Sequence, residues 1–162
     1  MILREAVEAD LPAILAIHNE AILHSLAIWQ YEPAPLANRQ AWFAERASKG
    51  QPILIAEIDG ALAGYASYGD FRAGAGYSGT VEDSIYVRGD MQRRGVARAL
   101  MGALIDHARG AGKHVMIGAI GLPNEASVAL HASFGFVETG RLSEIGRKNG
   151  MWLDLLMMQK RL

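Results

Sequence analysis

The stretch from Val81 to Gly110 restricts the fold most, because a short basic loop there joins an apolar, β-branched run to an amphipathic helix. Val81 to Val87 reads as a strand. From Ala97 onward, Ala97, Leu100, Met101, Leu104, Ile105 and Ala108 keep the i, i+3, i+4, i+7, i+8 spacing of a core-facing helix side. Arg98, Gly102, Asp106 and Arg109 take the other side. A strand running through a loop into a helix turns the helix's unpaired N-terminal N–H groups back over the strand end. Those donors, the positive end of the macrodipole and Arg93, Arg94 and Arg98 together suit an anion, above all a phosphate. Gly95 allows close approach, since no Cβ stands in the way. The spacing matches neither G-x-x-x-x-G-K-[ST] nor G-x-G-x-x-G, so the two common nucleotide loops are excluded. By itself, Gln92-x-x-Gly95-x-Ala97 also suits a solvated basic helix start.

The whole-chain numbers leave that anion site as a local feature. A chain of 162 residues fits one domain, residues 1–162, with a proper core. The net charge of −1 provides no basic field for nucleic acid or for an anionic membrane. The absence of cysteine rules out disulfides, thiolate metal sites and a cysteine nucleophile. No carboxylate or second histidine sits at metal-like spacing beside His18 or His24, so no metal is expected. No apolar run approaches the ~20 residues that span a bilayer, and the N-terminus lacks a signal-peptide layout. The expectation is a soluble cytoplasmic protein.

Along the chain, Ile2 to Ala6 reads as a first strand. Glu8-Ala9-Asp10 opens a helix with Pro12 in its first turn, and Leu11, Ile14, Leu15, His18 and Ile22 line one face. Ala27 to Leu36 is irregular yet carries Ile28, Trp29 and Tyr31, rings that suit either a hydrophobic plug or a pocket wall. Asn38 is a candidate N-cap for a second helix, Arg39 to Lys49, closed by Gly50, with Trp42 and Phe43 facing the core. Asp59-Gly60 joins strands Ile53 to Ile58 and Ala61 to Tyr68 as a hairpin. Asp70 to Gly79 is a glycine-rich loop. It is either a plain surface connection or a substrate loop in which Arg72 could clamp a carboxylate and Tyr77 stands at the entrance. A strand from His114 to Ile120, a helix started by Leu122 to Ser127 and running to about Phe134, a strand from Val137 to Arg141 and a last strand from Met151 to Lys160 complete the chain. This order suggests an α/β fold with a mixed sheet and helices on both faces.

A second motif, Asn124-x-x-Ser127-x-x-Leu130-His131-x-x-Phe134-Gly135-Phe136, follows the loop at Gly95. With both motifs, the chain resembles a GCN5-related N-acetyltransferase from end to end. Thr80-Val81-Glu82, Ser84-Ile85-Tyr86-Val87, Gly121-Leu122-Pro123-Asn124 and Gly146 to Trp152 look like the phosphinothricin and methionine sulfoximine N-acetyltransferase branch. The resemblance implies a mostly antiparallel sheet splayed at the cofactor site, acetyl-coenzyme A as acyl donor and a small primary amine as acceptor. It implies that backbone groups of Ile85, Tyr86 and Val87 pair with the pantetheine arm. Arg93, Arg94, Gly95, Val96, Ala97 and Arg98 would wrap the pyrophosphate, and Asn124 would touch the cofactor. It also implies a homodimer. The sequence departs from the wider superfamily at His131, where a tyrosine is common and is taken to protonate the departing thiolate.

Amide formation from a thioester needs a neutral amine, a stabilised oxyanion and a leaving thiolate. Glu82 is the candidate proton acceptor, acting directly or through one water: an idle carboxylate in a core strand would be costly, and it is the resemblance that puts this role ahead of a solvated carboxylate. Asp83 beside it fits the contrary reading, a strand with one wet face. A strand N–H near Ile85, freed where neighbouring strands splay, would meet the oxyanion. His131 titrates near neutrality and could donate a proton, orient a water or simply pack. The acceptor side is assigned to Arg72, Tyr77 and Trp29. The competing readings are acetylation of a protein N-terminus or a polyamine, and a non-catalytic acyl-coenzyme A sensor.

Overall fold

Two tight turns and one short parallel ladder shape the sheet. The computed structural model describes residues 1–162. In it, Asp59 and Gly60 both have positive φ, 53° and 77°, the two-residue geometry that follows strand twist. They join β2 (Ile53–Ile58) to β3 (Ala61–Asp70), as the sequence predicts. Asn149 and Gly150 repeat the device, with φ of 50° and 78°, between β6 (Val137–Lys148) and β7 (Met151–Arg161). With β1 (Ile2–Glu5), β4 (Thr80–Val87) and β5 (Val115–Gly121), the strands form one seven-stranded sheet in the order β1-β2-β3-β4-β5-β7-β6. Every neighbouring pair is antiparallel except β4 and β5.

That exception opens the sheet. Strands β4 and β5 pair only between Thr80–Glu82 and Val115–Ile117. Farther on, Asp83–Val87 stays on β3 while Gly118–Gly121 stays on β7. The polar backbone groups of β4 that point away from β3 therefore meet no strand. The sheet is mostly antiparallel and splayed, as the resemblance implies.

Helices cover both faces. On one side α1 (Leu11–His24) packs Leu11, Ile14 and Ile17 against Ile53, Ile55 and Tyr65, and α2 (Leu36–Ser48) adds Trp42 and Phe43 at the rim. On the other, α3 (Val96–Gly110) buries Leu100, Met101, Leu104, Ile105 and Ala108 against Ala66, Tyr68, Val81 and Met116. Val128 and Leu130 of α4 (Glu125–Ser133) border the same cluster. No helix is long and apolar enough to cross a membrane.

Most boundaries shift by a residue or two, and four departures from expectation matter more. Glu8–Asp10 is a 3-10 turn, and α1 proper starts at Leu11. Helix α2 starts at Leu36 with Pro35 as its N-cap, so Asn38 lies inside the first turn and its side chain accepts from Arg39 instead. Val96, not Ala97, is the first fully buried residue of α3. Strand β6 runs to Lys148 rather than ending at Arg141. It is the sheet edge, nearly all exposed and interrupted by register shifts, so it carries no alternation of apolar and polar residues to read.

Candidate active site

The anion loop is built from backbone geometry. Arg93 and Gly95 adopt left-handed φ of 59° and 80°, which turns the chain sharply before α3. Gly95 is the N-cap, and its carbonyl accepts the first bond of the helix from Ala99 at 3.0 Å. The N–H groups of Val96, Ala97 and Arg98 precede that bond and have no acceptor within the helix. Nothing lies within 4 Å of where a Gly95 Cβ would stand. Arg93, Arg94 and Arg98 are all exposed around this opening. The Arg98 guanidinium sits 5.3 Å from the Phe134 ring centroid, and Gly95, Arg98, Ala99, Gly102 and Phe134 line a groove leading away.

Strand β4 carries the remaining chemistry to the point where the sheet opens. Its alternation puts Glu82 and Tyr86 on the α1/α2 face, where Tyr86 borders the smaller core. Burial raises the Tyr86 phenol to about 12, which favours a packing role. Glu82 is half-buried in the last parallel pair. Burial first, and then the charge of Asp83, push its carboxyl above the ordinary value, while Arg72 pulls the opposite way. Across the ladder its partner is Gly69, and the Arg46 guanidinium fills the space where a side chain would stand.

Arg72 and Tyr77 belong to one cluster above the start of β4. The Arg72 guanidinium lies 5.0 Å from the Phe71 ring centroid, and the Phe71 and Tyr77 rings meet edge to face at 6.0 Å. The loop is tied at its base. Asp70 accepts from Lys49 at 3.0 Å and from Gln51 at 2.8 Å, and the Phe71 N–H reaches the Thr80 carbonyl. Trp29 sits elsewhere, with its ring pressed on Gly121 at the end of β5 and on Gly146 of β6. The three acceptor-side residues thus occupy two walls.

On the opposite face, Asp83 is sealed, with 4% of its side chain exposed, so the strand is not wet there. Its Oδ1 lies 3.2 Å from Nε2 of His131, whose Nδ1 donates to the Ser127 carbonyl at 2.7 Å. Both neighbours are acceptors, so the ring satisfies both only as an imidazolium. Burial works against that charge, but the bond to Asp83, its negative charge and the Ser127 carbonyl outweigh it and hold His131 above its ordinary value. The ring rests on Gly118, where a Cβ would come within 2.6 Å. His131 therefore bridges β4 and β5 at the first residues beyond their pairing. Asn124 caps α4, its Oδ1 accepting from the Ser127 N–H at 3.1 Å.

Sequence reasoning missed Asp83 as a buried partner, and the glycines that admit the two rings, Gly118 under His131 and Gly121 and Gly146 under Trp29. Closely spaced glycines in strands are the available signal. The other buried histidine, His18, meets the Tyr65 hydroxyl at 3.1 Å and is pushed down to about 4 by burial and then by Arg39, so it is a core group. No cluster of His, Asp and Glu is arranged to hold a metal.

Known proteins share this sequence pattern and fold. The family model described as Acetyltransferase (GNAT) family matches residues 13–136. An L-methionine sulfoximine/L-methionine sulfone acetyltransferase of Pseudomonas paraeruginosa is 51% identical, over 97% of this chain and 92% of its own. A phosphinothricin N-acetyltransferase of Alcaligenes faecalis is 38% identical, over 93% of this chain and 77% of its own. A Salmonella typhimurium structure with acetyl-coenzyme A as its cofactor superposes with a TM-score of 0.97 at 45% identity, over 100% of this chain and 94% of that one.

Breaking the buried pair has a predictable cost. Replacing Asp83 by Asn should destabilise the fold by about 3 kcal/mol, because it leaves a buried imidazolium without its charge partner. His131 titrates higher folded than unfolded. Its contribution is therefore complete below the unfolded value and fades as pH rises through the folded one. Urea denaturation across that range should show the decline in the unaltered protein and its absence in Asp83→Asn.

Proposed function

The chain is an acetyl-coenzyme A-dependent N-acetyltransferase of the acetyltransferase (GNAT) family, and we propose that its acceptor is the primary amine of a small amino acid of the methionine sulfoximine, methionine sulfone or phosphinothricin kind. The observation that carries this reading is Glu82, a half-buried carboxyl of raised proton affinity at the opening of the sheet, near enough to Arg72 to feel its charge. The relatives' substrates support the same class.

The residues present fit the co-substrate. Acetyl-coenzyme A supplies the acyl group as an activated thioester. Along Ile85, Tyr86 and Val87, the backbone groups that point away from β3 offer an added-strand partner for its amide-bearing arm. The free N–H groups from Gly95 to Arg98, with Arg93, Arg94 and Arg98, suit its pyrophosphate, and Asn124, at the start of α4, is assigned to the cofactor as well. Glu82 accepts the amine's proton, directly or through one water. A β4 N–H near Ile85, fixed by the β3 ladder, stabilises charge developing on the carbonyl oxygen. Arg72 clamps the acceptor carboxylate in two parallel bonds, with Tyr77 and Trp29 shaping the space around it. His131 holds Asp83 in place and offsets its charge next to Glu82.

The exposed sheet edge argues for a second copy of the chain. Leu142, Ile145, Met151 and Trp152 are 45%, 53%, 48% and 59% exposed on the β6–β7 hairpin, and an unpaired edge strand of this length invites association. In this reading the protein is a homodimer.

The decisive assay is thiol release from acetyl-coenzyme A over a panel of the two sulfur analogues, phosphinothricin, ordinary amino acids, a polyamine and a peptide. Turnover should be confined to the amino-acid class; turnover on the peptide or polyamine alone would displace this substrate reading. Glu82→Gln should lower turnover by roughly 10²–10⁴, the usual worth of a general base, with acetyl-coenzyme A binding intact. The unaltered enzyme's acid limb should lie above the ordinary glutamate range, since Glu82 must be ionised to accept a proton. Arg72→Ala should raise the amino-acid KM far more than it lowers kcat; an unchanged KM removes the clamp. Light scattering should give twice the chain mass, and the chain mass alone for Trp152→Glu.

A further inference from the structure

Lys148 is charged and 2% exposed, and its ammonium meets no carboxylate. Its Nζ donates to three carbonyls, those of Ile22 at 2.5 Å, Ser25 at 2.8 Å and Ile28 at 2.5 Å, so each of its three donors has an acceptor. Ile22 lies in the last turn of α1 and Ser25 is the C-cap. Their carbonyls have no helical partner, and a cation suits the negative end of the macrodipole. Burial lowers the lysine's proton affinity, and nothing on the catalytic side of the molecule uses the charge.

The two residues before it act on the same segment. The Arg147 carbonyl accepts from the Tyr31 hydroxyl at 2.8 Å. Gly146 leaves room for the Trp29 ring, which a Cβ there would overlap, and Gly121 does the same from β5. The Trp29 indole N–H donates to the Leu26 carbonyl at 2.9 Å, so the ring's orientation is set within its own loop. Three consecutive β6 residues thus grip the connection between α1 and α2 and press Trp29 onto the β5 wall of the splay.

We propose that Lys148 is a positioning residue for the acceptor pocket: by gathering the carbonyls of Ile22, Ser25 and Ile28 it holds Trp29 against Gly121, and so sets which acceptor side chain the cleft admits. The proposal deepens the amino-acid reading and rests on Trp29 lining the acceptor side. A purely apolar side chain at this position would fill the volume and leave three carbonyls unpaired.

The test is Lys148→Met beside Lys148→Arg and Tyr31→Phe, each read by hydrogen-exchange mass spectrometry and by steady-state kinetics on methionine sulfoximine. In Lys148→Met, exchange over residues 22–31 should rise by about tenfold or more through local opening, with α3 and β4 unchanged. The acceptor KM should rise by about tenfold while the acetyl-coenzyme A KM stays within about twofold, the split expected when only one substrate's pocket loosens. Lys148→Arg keeps the charge and should recover part of the acceptor KM. Tyr31→Phe should move both readouts in the same direction by a smaller factor, and it decides the matter if Lys148→Met does not fold. Unchanged exchange in the segment, an unchanged acceptor KM, or a parallel rise of both KM values with exchange across the whole sheet would overturn the proposal. If the unaltered enzyme acetylates no amino acid, the acceptor reading fails by itself, and local exchange still decides whether Lys148 pins the segment.

Discussion

Three residue pairs of parallel ladder between β4 and β5 are the constraint on which the site depends. Each strand is held firmly on its outer side, β4 by β3 and β5 by β7, so when the ladder stops at Glu82 and Ile117 neither strand can follow the other. The divergence leaves a row of backbone donors and acceptors on β4 without partners, a situation that proteins avoid in their interiors unless something else pairs with them. It also fixes where the chemistry can occur. Glu82 is the last residue with a strand on both sides, and the anion loop before α3 follows directly from the same strand.

The apex of the splay carries an arrangement of charges that act on one another. Asp83 lies next to Glu82 in the chain but on the opposite face, and its charge makes Glu82 a better proton acceptor. A sealed carboxylate with no counter-charge would be unfavourable, and His131 provides that counter-charge from α4. Gly118 is needed because the imidazole occupies the volume of a side chain there. Arg72 opposes Asp83 from the solvent side, so the proton affinity of Glu82 reflects a balance that an arriving carboxylate would alter. In the proposed reading, a substrate carboxylate on Arg72 would weaken its pull on Glu82 and favour proton uptake once an acceptor is in place.

Much of this was readable from the residues, and the limits have physical causes. The α3 stripe, the Asp59-Gly60 turn and Gly95 are local signals, in which neighbouring residues alone determine the backbone, and the observed elements follow them. The placement of Glu82 could be argued from the cost of an idle buried carboxylate. Asp83 could not, because its burial depends on a histidine from α4 that no local pattern connects to it. The full length of β6 escaped for a related reason: an edge strand exposed on nearly every residue has no buried face to impose a period of two. Asn38 is a good capping residue by type, yet Pro35 begins the helix a turn earlier because its φ of −77° already suits the start.

The molecule buries two cations, and their partners separate their roles. His131 is matched by a carboxylate beside Glu82 that holds its proton affinity above the ordinary value, so its charge is tied to the charges around Glu82. Lys148 is matched only by neutral carbonyls at and just beyond the end of a helix, and burial lowers its proton affinity. The first is therefore suited to adjusting the proton affinity of the site, and the second to holding geometry. A lysine also contributes what no apolar residue can, three donors radiating from one atom. The irregular segment after α1 has carbonyls that converge but no helix or strand to pair them, and a single ammonium on a neighbouring strand orders all three. A rigid Trp29 wall follows from that bond set, although the charge that secures it comes from the far edge of the sheet.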